Sequence, residues 1–393
     1  MEMRERRLVL VVTSVALFLS VLVWFNYSAV LPLVVAEWGL SGTEAGIVFG
    51  AFQAGYLLAI LPAGWLADRY SPRWVIAVGA TGTAVPSLAF AGVADGFLLG
   101  TLLRFLSGLF VAGVYVPGMR FVSDWFPGPV RGKALGLYIG TFSLGAGLSF
   151  VFSTMAAEAV DWRLAIAVTS VGALFVAPPM LLLTRDNPER TRSTGGGLDY
   201  SILRNREYLS AVCVYSFHNW ELFGVRNWLL AFLVAAPAFA SVESAVLPGL
   251  VVGGMIVASG FGNVAGGWLS DRVGRPRTIA AALGASTLVS AVFGLLGRLP
   301  LAALVAITVG YGFVLAMDSA PTSTLVTEVV ADEHVGTALS VQSLAGFSTT
   351  VVSPVVFGLA LDRAGYAAAF PTLAAGGFVG LLSVGVLVRA RGE

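Results

Sequence analysis

Apolar runs of about twenty residues or more, separated by short polar breaks, follow one another from Leu8 to Val388. A helix needs about 20 residues to cross a bilayer, and twelve such runs are present, at 8–35, 42–66, 73–93, 96–125, 130–157, 162–183, 208–235, 245–269, 277–297, 300–329, 335–361 and 366–388. No run alternates apolar and polar residues, the pattern of a membrane barrel strand, and a helix satisfies its own backbone in lipid. The pattern therefore predicts an all-α integral membrane protein. The first run follows a basic start, MEMRERR, as a signal peptide would, but it continues past Val23 without a small-residue cleavage site. It is read as the first membrane helix.

Charge placement supports the count. Of 23 Lys and Arg residues, 17 fall on one set of alternating loops and tails if the N-terminus is cytoplasmic, and only Arg163, Arg298 and Arg363 fall on the other set. That asymmetry is the positive-inside rule, and it predicts both termini in the cytoplasm of a multi-pass protein of the cytoplasmic membrane. Only 11% of residues are charged and 57% are hydrophobic, against about 25% charged in a soluble domain; the bilayer is thus an expected partner. A net charge of +1 with no basic arm points away from nucleic acid. One cysteine, Cys213, supports neither a disulfide framework nor a thiolate metal site. The longest loop, Thr184–Tyr208, carries charge and a Gly run. It divides the chain into an N-terminal six-helix bundle (1–184), a linker (185–207) and a C-terminal six-helix bundle (208–393).

The halves repeat one another. Gly64–Val75 reads GWLADRYSPRWV and Gly267–Thr278 reads GWLSDRVGRPRT. Slightly further along, Pro117, Asp124, Gly132, Ala134 and Leu135 recur as Pro321, Glu328, Gly336, Ala338 and Leu339. Twelve spans, a central loop and two spaced loop motifs resemble the major facilitator superfamily, whose signature between the second and third helices is Gly-x-Leu-Ala-Asp-Arg-x-Gly-Arg-x. Gly64, Leu66, Ala67, Asp68, Arg69 and Arg73 carry the first match, with Ser71 and Pro72 replacing the usual Gly-Arg. Gly267, Leu269, Asp271, Arg272, Gly274 and Arg275 carry the second. The resemblance implies two bundles related by an axis along the membrane normal, a substrate cavity near mid-membrane, and rocking of one bundle against the other.

Within that scheme Asp68 and Asp271, with Arg69, Arg73, Arg272 and Arg275 beside them, are expected to gate the cytoplasmic side through ion pairs and helix-end contacts. Arg120 and Asp124 have in-helix pairing distance, and Glu328 repeats Asp124. Each has a plainer role as an interfacial charge that sets topology.

Charges at membrane depth cost about 2.5–3.5 kcal/mol each on insertion scales, which makes them functional candidates. Arg104 lies in the fourth span, and with Gly108 it resembles the superfamily's Arg-x-x-x-Gly pattern, which is tied to proton coupling. The seventh span reads YSFHNWELFGVRNWLL and carries His218, Glu221 and Arg226. His218 and Glu221 stand about 60° apart around a helix, so both can face one cavity. Asp318 precedes Pro321 in the tenth span, where the proline permits a bend. Glu221, Asp318 and His218 are the candidate proton carriers, and Arg104 and Arg226 the candidate anion ligands. Polar residues expected to line the cavity are Trp24, Asn26, Tyr27, Gln53, Tyr56, Asn263, Tyr311 and Gln342, each of which could instead be a packing residue.

The expected function is secondary active transport of a small polar solute, coupled to protons. The fifth span lacks the Gly-Pro-x-x-Gly-Gly pattern of drug/proton antiporters, and the first lacks their membrane carboxylate. Both absences favour uptake or exchange of a small polar solute, and the candidate cavity arginines favour a small organic anion, monocarboxylate-like; export of a drug or lipophilic cation is the alternative. Two histidines, His218 and His334, and no Gly-x-Ser-x-Gly elbow argue against an enzyme. No P-loop or other cofactor motif occurs. A monomer is expected.

Overall fold

A computed structural model describes residues 2–126, 128–188, 200–242, 244–330 and 335–391. His334, Arg190 and Arg192 lie outside the described residues. Among the described residues the regular elements are all helical. In chain order they are α1 (Glu2–Trp38), α2 (Gly42–Arg69), α3 (Pro72–Val93), α4 (Phe97–Val111), α5 (Tyr115–Trp125), α6 (Gly128–Ala159), α7 (Trp162–Leu174) and α8 (Ala177–Leu183). There follow α9 (Arg206–Ala235), α10 (Val246–Val273), α11 (Arg275–Phe293), α12 (Leu301–Leu315), α13 (Ser319–Glu328), α14 (Val335–Ala364) and α15 (Tyr366–Arg391). The pairs α4–α5, α7–α8 and α12–α13 each make up one span, which yields the twelve expected. Several helices outrun the apolar runs; α1 starts at Glu2 rather than at residue 8, because helical backbone continues through the polar interface.

Eleven of these spans are apolar enough to cross a membrane on composition alone. The span missing from that set is α9, the helix with charges at its centre. Its environment explains how it tolerates them: every residue from Glu221 to Leu233 is buried, and α9 packs along α14 and α15. Protein rather than lipid surrounds the charged stretch.

The spans α4–α5 and α12–α13 are interrupted at equivalent places, Ala112–Val114 and Ala316–Asp318. The cause lies four residues downstream. Pro117 and Pro321 have no N–H to offer the carbonyls of Gly113 and Met317, and their rings crowd those carbonyls. Near both breaks, helices approach backbone to backbone. A Cβ on Gly108 would collide with the Phe52 carbonyl, and one on Gly312 with the Met255 carbonyl. Only glycine permits these approaches, which recur between the halves.

The chain forms two compact units. One comprises Met1–Gly39, Ala51–Gly196 and Ser244–Gly249; the other comprises Leu40–Gly50, Gly197–Glu243 and Leu250–Glu393. The start of α2 therefore belongs to the second unit, where Gly46 and Gly50 lie against the α14 backbone. Asp362 of α14 caps that start: Gly42 N–H donates to Oδ1 at 2.5 Å, and the Thr43 N–H and hydroxyl donate to Oδ2 at 2.8 and 2.6 Å. Within the first unit, Ser244 donates to Glu158 at 2.6 Å.

Candidate functional site

In the first unit the buried charge is Arg104, 2% exposed. Its Nη1 donates to the Val23 carbonyl at 3.1 Å and to Asn26 Oδ1 at 3.3 Å, and its Nη2 donates to the Trp24 carbonyl at 3.1 Å. The guanidinium lies 4.3 Å from the Phe52 ring centre and 5.6 Å from that of Tyr27. Its Nε has no partner among the described residues. Asn26 is held from the other side, its amide donating to Thr169 at 3.2 Å and Ser170 at 3.3 Å. Two aromatic faces and two main-chain carbonyls thus solvate a cation that has no carboxylate beside it among the described residues. Such contacts can hold an Arg inside protein without neutralising it.

The second unit has three groups in α9, each treated differently. His218 Nδ1 lies 2.8 Å from Asp318 Oδ1, and its Nε2 lies 2.9 Å from the Ser319 hydroxyl. The break before α13 brings both partners to the ring, so the Pro321 kink assembles this pair. Glu221 is fully buried and accepts hydroxyl bonds from Ser286 at 3.0 Å, Ser290 at 2.6 Å and Tyr311 at 3.2 Å. Ser290 and Tyr311 also bond one another. Arg226 is 7% exposed and makes no hydrogen bond or ion pair with any described residue.

The other candidates separate cleanly. Tyr311 joins Glu221, while Asn26 and Tyr27 join Arg104. Gln53 and Gln342 are buried at 3% and 2% exposure. Asn263 is exposed on α10 and joins neither cluster. The sequence reading missed the hydroxyls that hold these groups: Ser286 and Ser290 on α11, Thr169 and Ser170 on α7, and Ser319. A visible signal existed in the four-residue spacing of Ser286 and Ser290, which puts both on one helix face.

The loop motifs form one cluster in each unit. Asp68 and Asp124 both contact Arg120 Nε, at 3.5 and 3.2 Å. Asp271 and Glu328 both engage Arg275, at 2.8 and 2.9 Å. The acids are repeat equivalents but the cations are not. Position 72, equivalent to Arg275, is proline, and Arg120 of α5 takes over its task. The turns differ correspondingly: Gly274 has φ +95°, whereas Ser71 is extended at φ −107°. Arg69 and Arg272 instead lie over the equivalent rings Trp65 and Trp268, at 5.4 and 3.6 Å. Arg73 donates to the Thr184 carbonyl at 2.6 Å and lies 3.6 Å from Asp186.

A twelve-span helical membrane protein with a repeated half and ionisable groups buried at mid-helix has the architecture of a transporter. The chain belongs to the Major Facilitator Superfamily, whose family model matches residues 13–248 and 222–393. It is 25% identical to the "Probable sulfoacetate transporter SauU" of Cupriavidus necator, over 93% of this chain and 89% of that protein. It is also 25% identical to the hexuronate transporter of Bacillus subtilis, over 96% of this chain and 94% of that one. In fold it is similar to a bacterial homologue of the human lysosomal transporter Spinster, crystallised in an inward-facing, occupied conformation. That likeness has a TM-score of 0.78 and 18% identity, over 99% of this chain and 96% of that chain. Family and relatives are transporters rather than enzymes.

Proposed function

We propose that the protein is a secondary transporter of a small organic anion, monocarboxylate-like, which works by alternating access in the cytoplasmic membrane and is coupled to protons. The observation that carries this reading is Arg226, a buried cation with no partner among the described residues. An unpaired charge in such a place costs several kcal/mol unless something compensates it. An anionic substrate is the simplest compensation, and the relatives named for sulfoacetate and hexuronate handle organic anions. Arg104 already has Asn26 and two carbonyls around it, so it is the secondary anion ligand.

His218 and Asp318 form the proton site in this reading. A carboxylate beside an imidazole in a buried break between helices can share, accept or release one proton with little rearrangement. Glu221, satisfied by three hydroxyls, is the second carrier candidate. The Asp68–Arg120–Asp124 and Asp271–Arg275–Glu328 clusters act as gates.

Counterflow of labelled small carboxylates in proteoliposomes tests the reading. Arg226→Gln should lower counterflow about tenfold or more, the loss of a charge-assisted contact. Asp318→Asn should keep counterflow but lose accumulation driven by a pH gradient. Wild-type activity in Arg226→Gln would remove the anion site, and rates indifferent to the pH gradient in the unmodified protein would remove the coupling.

A further inference from the structure

The Asn26 amide lies between two sets of polar groups, all of them in the first unit. On one side its Nδ2 is 3.2 Å from the Thr169 hydroxyl, 3.3 Å from that of Ser170 and 3.5 Å from that of Ser87. On the other, its Oδ1 accepts from Arg104 at 3.3 Å. All five side chains are buried, none more than 2% exposed. Three helices meet α1 here: α3 brings Ser87, α4 brings Arg104, and α7 brings Thr169 and Ser170.

An amide fits a pocket of given shape either way round, so its surroundings must choose which end faces where. Here the hydroxyls choose. Each has one hydrogen and two lone pairs. Thr169 donates its hydrogen to the Ala165 carbonyl at 2.7 Å, and Ser170 donates to the Ile166 carbonyl at 2.6 Å, each one turn back along α7. Ser87 lies 2.8 Å from the Ser170 hydroxyl, and with the Ser170 hydrogen committed it is Ser87 that donates. All three hydroxyls therefore turn lone pairs toward Asn26 and take amide hydrogens. A reversed amide would set its oxygen against those lone pairs and its NH2 against the guanidinium. Of the three acceptors on Arg104, the Val23 and Trp24 carbonyls belong to the α1 backbone, and only the Asn26 oxygen has a direction that a side chain sets.

We infer that Ser87, Thr169 and Ser170 are positioning residues for Arg104: they hold the Asn26 oxygen toward the guanidinium, which fixes its place and leaves it cationic. The amide answers the charge with a dipole, whereas a carboxylate at position 26 would neutralise Arg104 and would meet the same lone pairs. The inference rests on the reading of Arg104 as an anion ligand and extends it to two helices that do not carry the arginine.

The test compares wild type with Thr169→Val/Ser170→Ala, which removes both α7 acceptors at nearly constant volume, and with Thr169→Ser, which keeps the hydroxyl. Purified full-length protein is treated with phenylglyoxal, which modifies guanidinium groups. Modification of Arg104 is read by peptide mass spectrometry against Arg163, held in the same unit by Glu37 and two carbonyls. In the double variant Arg104 should react about three- to tenfold faster relative to Arg163, the loss of one hydrogen bond to a charged group. Thr169→Ser should match wild type, and Thr169→Val alone, the smaller change, should move in the same direction as the double variant. In proteoliposomes the double variant should raise the concentration of labelled lactate for half-maximal counterflow by a similar factor, with the maximal rate nearly unchanged. Equal Arg104 modification in wild type and in folded Thr169→Val/Ser170→Ala or Thr169→Val would overturn the positioning role, and this arm needs no transported substrate. So would Thr169→Ser reacting as fast as the double variant, which would assign the effect to packing, or a half-saturating concentration raised by Arg104→Gln but not by the double variant. Wild-type half-saturation in Arg104→Gln would instead remove the anion reading on which the inference rests.

Discussion

Three residues of one helix, His218, Glu221 and Arg226, lie within nine positions and show how little a residue type says about its role. Glu221 is a carboxyl group answered by three hydroxyls, His218 has a carboxylate beside it, and Arg226 has no partner among the described residues. Removing a bond from the first should therefore cost stability. Hydrogen bonds to charged groups are worth about 1.5–3 kcal/mol in water-soluble proteins and side-chain bonds between membrane helices average about 0.6. Ser290→Ala should lower unfolding stability by about 1–2 kcal/mol, because it deletes the shortest bond to Glu221 and also the Tyr311 contact. Thermal unfolding in detergent measures this, and an unchanged Tm would mean that Glu221 does not depend on Ser290.

Among elements, the decisive features are backbone features. Prolines set the breaks before α5 and α13, and glycines allow α4 and α12 to touch the backbones of α2 and α10. Gly108→Ala and Gly312→Ala should each destabilise by about 1–3 kcal/mol or more, the usual cost of overpacking, since the new methyl meets a carbonyl that cannot rotate away. Gly92→Ala makes a fair control, because a Cβ there meets nothing within 4 Å. Monodispersity after purification and Tm give the comparison. Equal behaviour of all three variants would contradict the close approach. Pro117, Pro321 and the 204-residue offset were legible in the sequence. The identity of the carbonyls facing Gly108 and Gly312 was not, because a close approach depends on two segments distant in the chain.

For the molecule as a whole, the loop clusters are proposed to act on rate rather than on stability. Asp68 and Arg120 are 45% and 35% exposed at the side chain, and exposed ion pairs are worth only about 0–1 kcal/mol. Asp68→Asn should accordingly leave Tm and substrate affinity nearly unchanged while slowing transport. Initial rates over a substrate range in proteoliposomes separate the two effects; a wild-type rate would exclude Asp68 from gating. The clusters also show a substitution that the repeat alone did not explain. Pro72 replaces a motif arginine, and Arg120, one helix away in space but 48 positions on in the chain, supplies the charge.

Span number, the repeat and the membership of the superfamily follow from the sequence by itself, because hydrophobic length and motif spacing are one-dimensional properties. Only the tertiary structure decided which charges are answered and which are not: whether a buried Arg or Glu has a partner depends on what neighbouring helices place within about 3 Å of it. His218 gained its carboxylate through a kink a hundred residues away, Glu221 gained its hydroxyls from α11 and α12, and Arg226 gained no partner among the described residues.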